Sequence, residues 1–442
     1  MSHNSQLPEE DEAYIDSNEI GEEAAANEED IDQPMSEDDE DDGQYDEENP
    51  EEGYGEGSQQ DTIEIDMSNN SSTYFDSHSD SVYLIASHPM LPMVVSGGGD
   101  NMGYLWTTNA HPPKLVAHLS GHTESLVAGG FTFDGSYLVT GDMSGQIRVW
   151  KAAMRGQKWE FFGSVQEVEE IVWIRFHPKQ NIFAAGASDG SVWCYSLEPT
   201  LENISVLHSH SMPTNNGLFV NTDDMDTLSL MTISDDATIV NWNVYTSAAN
   251  YTLTPTDLKG EHPWVSITPS PSGRSVAVGS TDGTVLILGV ERGNILSTVS
   301  GSTAEDLDLL DKSIEGMSWS DSANVLAVGN VNGEIQLYDV ASWRVRRTLK
   351  LEDSVTKLEF VPGTPYLLSS GIDGSINKWD VRSGESKWEA KGHNAGVLGF
   401  AHQLNGARII SAGDEGVCLV FNDEPKPAAA PAGARPQQLL TN

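Results

Sequence analysis

His78, Ser96 and Asp100 bring together the residue types of a hydrolytic triad: a hydroxyl nucleophile, an imidazole to take its proton and a carboxylate to orient the ring. No nucleophile elbow is expected to present the serine, so the trio does not by itself make an active site. Gly97-Gly98-Gly99 followed by Gly103 suggests a phosphate-cradling loop. The spacing is not Gly-x-Gly-x-x-Gly, however, and the first basic residue, Lys114, lies well beyond it. His208 and His210 are close neighbours, but no Cys or third His stands at ligand spacing. Both are expected on a surface loop, with no metal. Cys194 and Cys418 are the only cysteines, too few for a disulfide framework, and are expected as small buried residues. No cofactor is expected.

Carboxylates are the abundant chemistry. The 442 residues carry 68 Asp and Glu against 23 Lys and Arg, a formal net charge of −45. Residues 1–60 hold 24 of those acids and no base, which leaves 44 acids and 23 bases, a net of −21, for residues 61–442. Such a surface repels phosphate backbones and anionic lipids, so direct binding to nucleic acid or membrane is not expected. Runs such as Glu37-Asp38-Asp39-Glu40-Asp41-Asp42 self-repel and offer nothing to bury, and 1–60 reads as a disordered acidic arm. Residues 422–442, rich in Pro and Ala, read as a flexible tail. No run of 18 apolar residues is present, and the N-terminus has neither the basic nor the apolar region of a secretory signal. A cytoplasmic or nuclear location is expected.

The elements that must position these carboxylates show as an internal repeat. A large apolar or aromatic residue ends a short alternating strand at Trp106, Trp150, Tyr195, Trp242, Leu288, Tyr338, Trp379 and Phe421. The intervals are 44, 45, 47, 46, 50, 41 and 42 residues, a period that points to a propeller or solenoid. Turn pairs such as Asp189-Gly190, Asp282-Gly283 and Asp373-Gly374 precede the markers and suit tight hairpins. Short strands with Gly-rich turns, and no sustained helical period, predict an all-β fold.

Three units begin with a His 28 residues before the marker: His78, His122 and His393. Two of these are Gly-His pairs, and two markers are followed by Asp, as in Tyr338-Asp339 and Trp379-Asp380. On these residues the chain resembles the WD40 repeat family from about residue 61 to 421. The resemblance implies an eight-bladed β-propeller of four-stranded blades. It also implies that His78, Ser96, Asp100 and Trp106 form a buried bracing network and not a catalytic centre. In unit 2, Ser144 stands where the turn Asp belongs, which puts its bracing in question. Residues 61–67, Asp-Thr-Ile-Glu-Ile-Asp-Met, alternate apolar and polar and are expected to close the last blade, removing two free sheet edges.

In a propeller the loops leading into each inner strand and the turns between the second and third strands share one face. Asp80, Glu124, Glu169 and Asp353 fall in one register there, with Glu170 adjacent and Glu315 nearer the channel. Asp414 and Glu415 lie in the turn of unit 8, and Glu305, Asp306 and Asp308 lie in the connector before unit 6. Like charges crowded at a low-dielectric mouth focus a negative potential, which suits a Lys/Arg-rich segment. Trp173 and Trp264 are expected to stack on its guanidinium groups.

The acidic arm, the eight units, and the segments GHTESLVAGGF at 121–131 and GHNAGVLGF at 392–400 are similar to one WD40 subfamily, that of angio-associated migratory cell protein and its fungal counterpart. That resemblance implies a non-enzymatic, dedicated chaperone. It would bind the basic N-terminal segment of a newly made large-subunit ribosomal protein and escort it to 60S assembly. A monomer is expected. The alternative is a general WD40 scaffold or adaptor, or a histone escort.

Overall fold

Alternating residues make each repeat a run of short strands, and tight turns fold each run back on itself. The result is eight four-stranded antiparallel sheets. The structure is a computed structural model that describes residues 68–224, 226–302 and 307–423; these belong to one compact unit, 65–442. Blades 1 to 7 span 82–119, 126–166, 171–208, 214–253, 264–300, 314–350 and 355–390. Blade 8 takes three strands from 397–422 and its fourth from Thr73–Phe75.

Both faces of every blade are covered by neighbours, so the middle strands are apolar on both sides. Val94 and Val95, Leu138 and Val139, and Leu367 and Leu368 are all fully buried. The core lies between the blades. One cluster joins Trp173 and Cys194 of blade 3 to Phe219, Leu230 and Trp242 of blade 4. Another joins Val94 and Trp106 of blade 1 to Ile410, Cys418 and Val420 of blade 8, so the last blade packs on the first. Both cysteines are buried, and burial pushes each thiol up to about 12.

Ring closure differs from the sequence expectation. The outer strand of blade 8 is Thr73–Phe75, with Thr73 opposite Val420, Tyr74 opposite Leu419 and Phe75 opposite Cys418. Residues 61–67 lie outside the described residues. The physical reason for the later position is Phe75. Its ring is buried and stacks on Trp106 at 4.7 Å between centroids, 5° from parallel, an anchor that Ile63 and Ile65 would not match. Ser72 and Asn70 extend the clasp with bonds to Val420 and Glu389 carbonyls.

Candidate binding face

One backbone bond recurs in all eight blades and builds the face. The residue opening each turn between the second and third strands donates its N–H to the carbonyl just ahead of the inner strand. The pairs are Gly99 to Ser81, Met143 to Ser125, Ser188 to Glu170, Asp235 to Pro213, Thr281 to Pro263, Val331 to Ser313, Ile372 to Ser354 and Asp414 to Gly396, at 2.9–3.2 Å. Turn and loop are thereby fixed at the same end of every blade. Each turn also presses on the loop of the next blade. Gly145, at φ +79°, shows how closely: a Cβ there would lie 1.7 Å from the Val168 carbonyl oxygen, so no other residue fits without moving the loop that carries Glu169.

These bonds define a common register. The residue preceding each accepting carbonyl is Asp80, Glu124, Glu169, Met212, His262, Lys312, Asp353 or Ala395. Four of the eight are carboxylates, and all four are exposed. Glu170 is half-buried beside Glu169. Lys312 breaks the pattern in blade 6, but Glu315 stands three residues beyond it.

Glu315 owes its place to a second recurrent feature. Each inner strand carries one β-bulge directly after its first residue. The extra residue turns toward the channel mouth: Tyr83, Val127, Val172, Asn215, Val265, Glu315, Thr356 and Leu398 in blades 1 to 8. Glu315 is the single charged member of this ring. It is exposed, and its Oε1 accepts from the Ser313 hydroxyl at 2.7 Å.

Blade 8 adds two acids with divided duties. Asp414 is exposed, but its Oδ1 accepts from Ser81 Oγ at 2.7 Å and ties blade 8 to blade 1. Glu415 accepts from His393 Nδ1 at 2.6 Å and serves as the carboxylate of that blade's bracing network. Asp308 is exposed on the loop into blade 6, while Glu305 and Asp306 lie outside the described residues.

Trp173 and Trp264 do not reach the face. Each is 3% exposed. Trp173 donates its indole N–H to the Thr214 carbonyl, and its ring fills the space left by Gly186 and Gly217. Trp264 donates to the Ala237 carbonyl. Their size made them core residues between blades, which proximity in sequence to the acids did not reveal. The aromatic at the mouth is Tyr83, 46% exposed; its signal was the bulge register, which no residue pattern announces.

The triad-like residues are structural. His78 contacts Ser96 Oγ at 2.9 Å and Asp100 at 3.1 Å, and Trp106 donates to the same Ser96 hydroxyl. That hydroxyl is fully buried and thus closed to any substrate. Blade 2 keeps the network despite Ser144, because Asp142 bonds His122 at 2.7 Å from two residues earlier. Blade 4 has the network too. His210, expected on the surface, is 8% exposed and bonds Thr232, which Trp242 also contacts. Extra loop length before Ser229 places His210 32 residues from Trp242 and hid it from the 28-residue rule. His208 is exposed as expected, and no metal-ligand cluster occurs among the described residues. One Gly-x-Ser-x-Gly sequence does exist, Gly186-Ala187-Ser188-Asp189-Gly190. It joins two strands of blade 3 as a hairpin turn, with no helix following to make an elbow.

Burial sets the protonation of these networks. It pushes His78 down from the ordinary imidazole value, with Asp100 only partly opposing. Burial alone would raise Asp142, but bonds from His122, Ser144 and Gln146 outweigh it and hold the carboxyl below its usual range. Asp236 is depressed in the same way by His210, Thr238 and Ser211.

The profile of the WD domain, G-beta repeat matches residues 69–107, 113–151 and 254–287, and that of the anaphase-promoting complex subunit 4 WD40 domain matches 306–363. Ribosome assembly protein SQT1 of Saccharomyces cerevisiae is 43% identical over 385 residues, covering 82% of this chain and 89% of the relative. Human angio-associated migratory cell protein is 24% identical over 352 residues, 78% of each chain. The crystal structure of S. cerevisiae Sqt1 superposes with a TM-score of 0.76 at 42% identity, over 80% of this chain and 99% of that one. Chaetomium thermophilum Sqt1 bound to the N-terminus of the ribosomal protein L10 superposes with a TM-score of 0.73 at 32% identity, over 80% of this chain and 100% of that one. An eight-bladed propeller with these repeats, at this identity across most of both chains, belongs to the Sqt1 family of WD40-repeat ribosome assembly proteins.

Proposed function

We propose that this protein is a dedicated chaperone that holds the basic N-terminal segment of ribosomal protein L10 on its acidic face until that protein joins the large subunit. The observation that carries this reading is the register: Asp80, Glu124, Glu169 and Asp353 recur at one position around the mouth, and Glu315 adds the one charge of the bulge ring. Several carboxylates around a low-dielectric opening hold Lys and Arg through charge-assisted bonds. Tyr83 offers a ring face to a guanidinium. The relative solved with the L10 N-terminus supports the choice of client. The protein acts as a monomer in the cytoplasm, by binding alone and without covalent chemistry. A free ribosomal protein is strongly cationic and sticks to RNA through counterion release; masking its charge prevents that.

The test is calorimetry with the L10 N-terminal peptide against Glu124→Lys, Glu315→Lys and Asp353→Lys in the full chain. Each exposed charge reversal is expected to weaken binding about tenfold, roughly 1.4 kcal/mol, with the melting temperature unchanged. Equal affinity in all three variants would sink the proposal.

A further inference from the structure

The channel behind the acidic mouth has the opposite character. Among the eight inner strands the charged side chains are Arg175, Glu315, Lys357 and Glu359, with His402 as a further titratable group. Three of these satisfy one another: Lys357 pairs with Glu359 at 3.0 Å, and Glu359 meets His402 at 3.3 Å. Arg175 has no carboxylate partner among the described residues. Its Nη1 donates to the neighbouring Ile174 carbonyl at 3.2 Å, its one hydrogen bond among the described residues. It lines a cavity of about 350 Å³ with Tyr83, Val127, Val172, Asn215 and Leu398.

Depth follows from register. Glu315 is the bulged residue of blade 6, and the equivalent in blade 3 is Val172. Arg175 lies three residues further along, about 10 Å deeper at about 3.3 Å per residue. At Arg175's position the other blades carry Ala86, Gly130, Leu218, Thr268, Ser318, Ala401 and, in blade 7, the paired Glu359. Arg175 is exposed to the channel, yet the surrounding blades displace most of the bulk solvent around it, and this burial pushes its guanidinium down from the ordinary value. Guanidinium remains charged even so. A charge with no carboxylate partner among the described residues adds little to folding, and a neutral residue stands at this register in six blades.

We infer that Arg175 is a specificity-determining residue that bars Lys and Arg side chains from the channel interior, so that a captured basic segment lies across the mouth and does not thread the ring. The inference rests on the capture reading above and adds where the segment stops. Mouth and interior differ in sign over about three residues of strand, and cations drawn in by Glu315 meet Arg175 in a setting where like charges are poorly screened. The side chain that does point inward is neutral or acidic.

Two probes separate the inference from the client assignment: the L10 N-terminal peptide and hexa-arginine, each titrated at low salt into full-length wild type, Arg175→Gln and Arg175→Glu. Arg155→Glu, an exposed reversal in the turn Met154–Gly156 of blade 2, controls for net charge alone. Hexa-arginine is expected to bind Arg175→Gln about threefold and Arg175→Glu at least about tenfold more tightly than wild type, with little change for Arg155→Glu. Unchanged or weaker binding to Arg175→Gln, at an unchanged melting temperature, overturns the inference; this variant decides the matter if Arg175→Glu misfolds. Tightening that Arg155→Glu reproduces in full also overturns it. Hexa-arginine binding without binding of the L10 peptide overturns the client and leaves the channel argument standing.

Discussion

At the scale of single residues, buried pairs hold the blades and exposed acids form the proposed recognition face. Asp142 and Asp236 have folded pKa values below their unfolded ones. Their contribution is therefore fully present above about pH 4 and is lost as pH falls through the folded values. His78, depressed by burial, resists protonation in the folded state, so stability starts to fall once pH drops below about 6.5. Denaturant midpoints are accordingly expected to decline gently from pH 6.5 and steeply below pH 4. Asp142→Asn should lower stability at pH 7 by about 1–3 kcal/mol, because His122 loses a buried charged partner. It should also flatten the limb below pH 4; a limb identical to wild type would contradict the role given to Asp142. The exposed acids were legible in the sequence because the His position supplied a ruler. Trp173 and Trp264 were misread because a tryptophan near a loop gives no sign of which way it turns.

At the scale of elements, the two devices that matter are the bulge and the clasp. The bulge puts one extra residue of each inner strand at the channel mouth, which is where Glu315 and Tyr83 stand. Nothing in alternating polarity marks it, since the extra residue breaks the alternation by a single step. The clasp is a strand of three residues, Thr73–Phe75, held mainly by one ring. Phe75→Ala is expected to cost about 3–5 kcal/mol and to lower the melting temperature by several degrees in a thermal scan. Deleting 1–67 leaves every described clasp contact in place and should preserve the midpoint, whereas deleting 1–76 should lower it. Equal midpoints for the two deletions would show that Thr73–Phe75 is not what closes the ring.

At the scale of the whole molecule, charge is the theme. Residues 61–442 keep a net of −21 after the first 60 residues are set aside, yet the proposed recognition rests on a handful of carboxylates at one mouth. Binding of a basic peptide should weaken with salt, because exposed charges are screened within a Debye length of about 8 Å at physiological ionic strength. Replacing Glu124 and Glu315 together by Gln should reduce the slope of log affinity against log salt, in titrations from low to moderate salt. A slope equal to that of wild type would assign the attraction to diffuse charge and not to the mouth.

The sequence by itself determined the number of blades, their order, the register of Asp80, Glu124, Glu169 and Asp353, and the acidity of the chain. Those properties follow from period, turn chemistry and composition, which are local or additive. Only the tertiary structure decided that Trp173 and Trp264 are core, that Glu415 is committed to His393, that Phe75 closes the ring, and that Arg175 has no carboxylate partner among the described residues. Each of these depends on which neighbouring blade a side chain meets, and contacts between residues far apart along the chain are set by the closing of the ring, not by any one repeat.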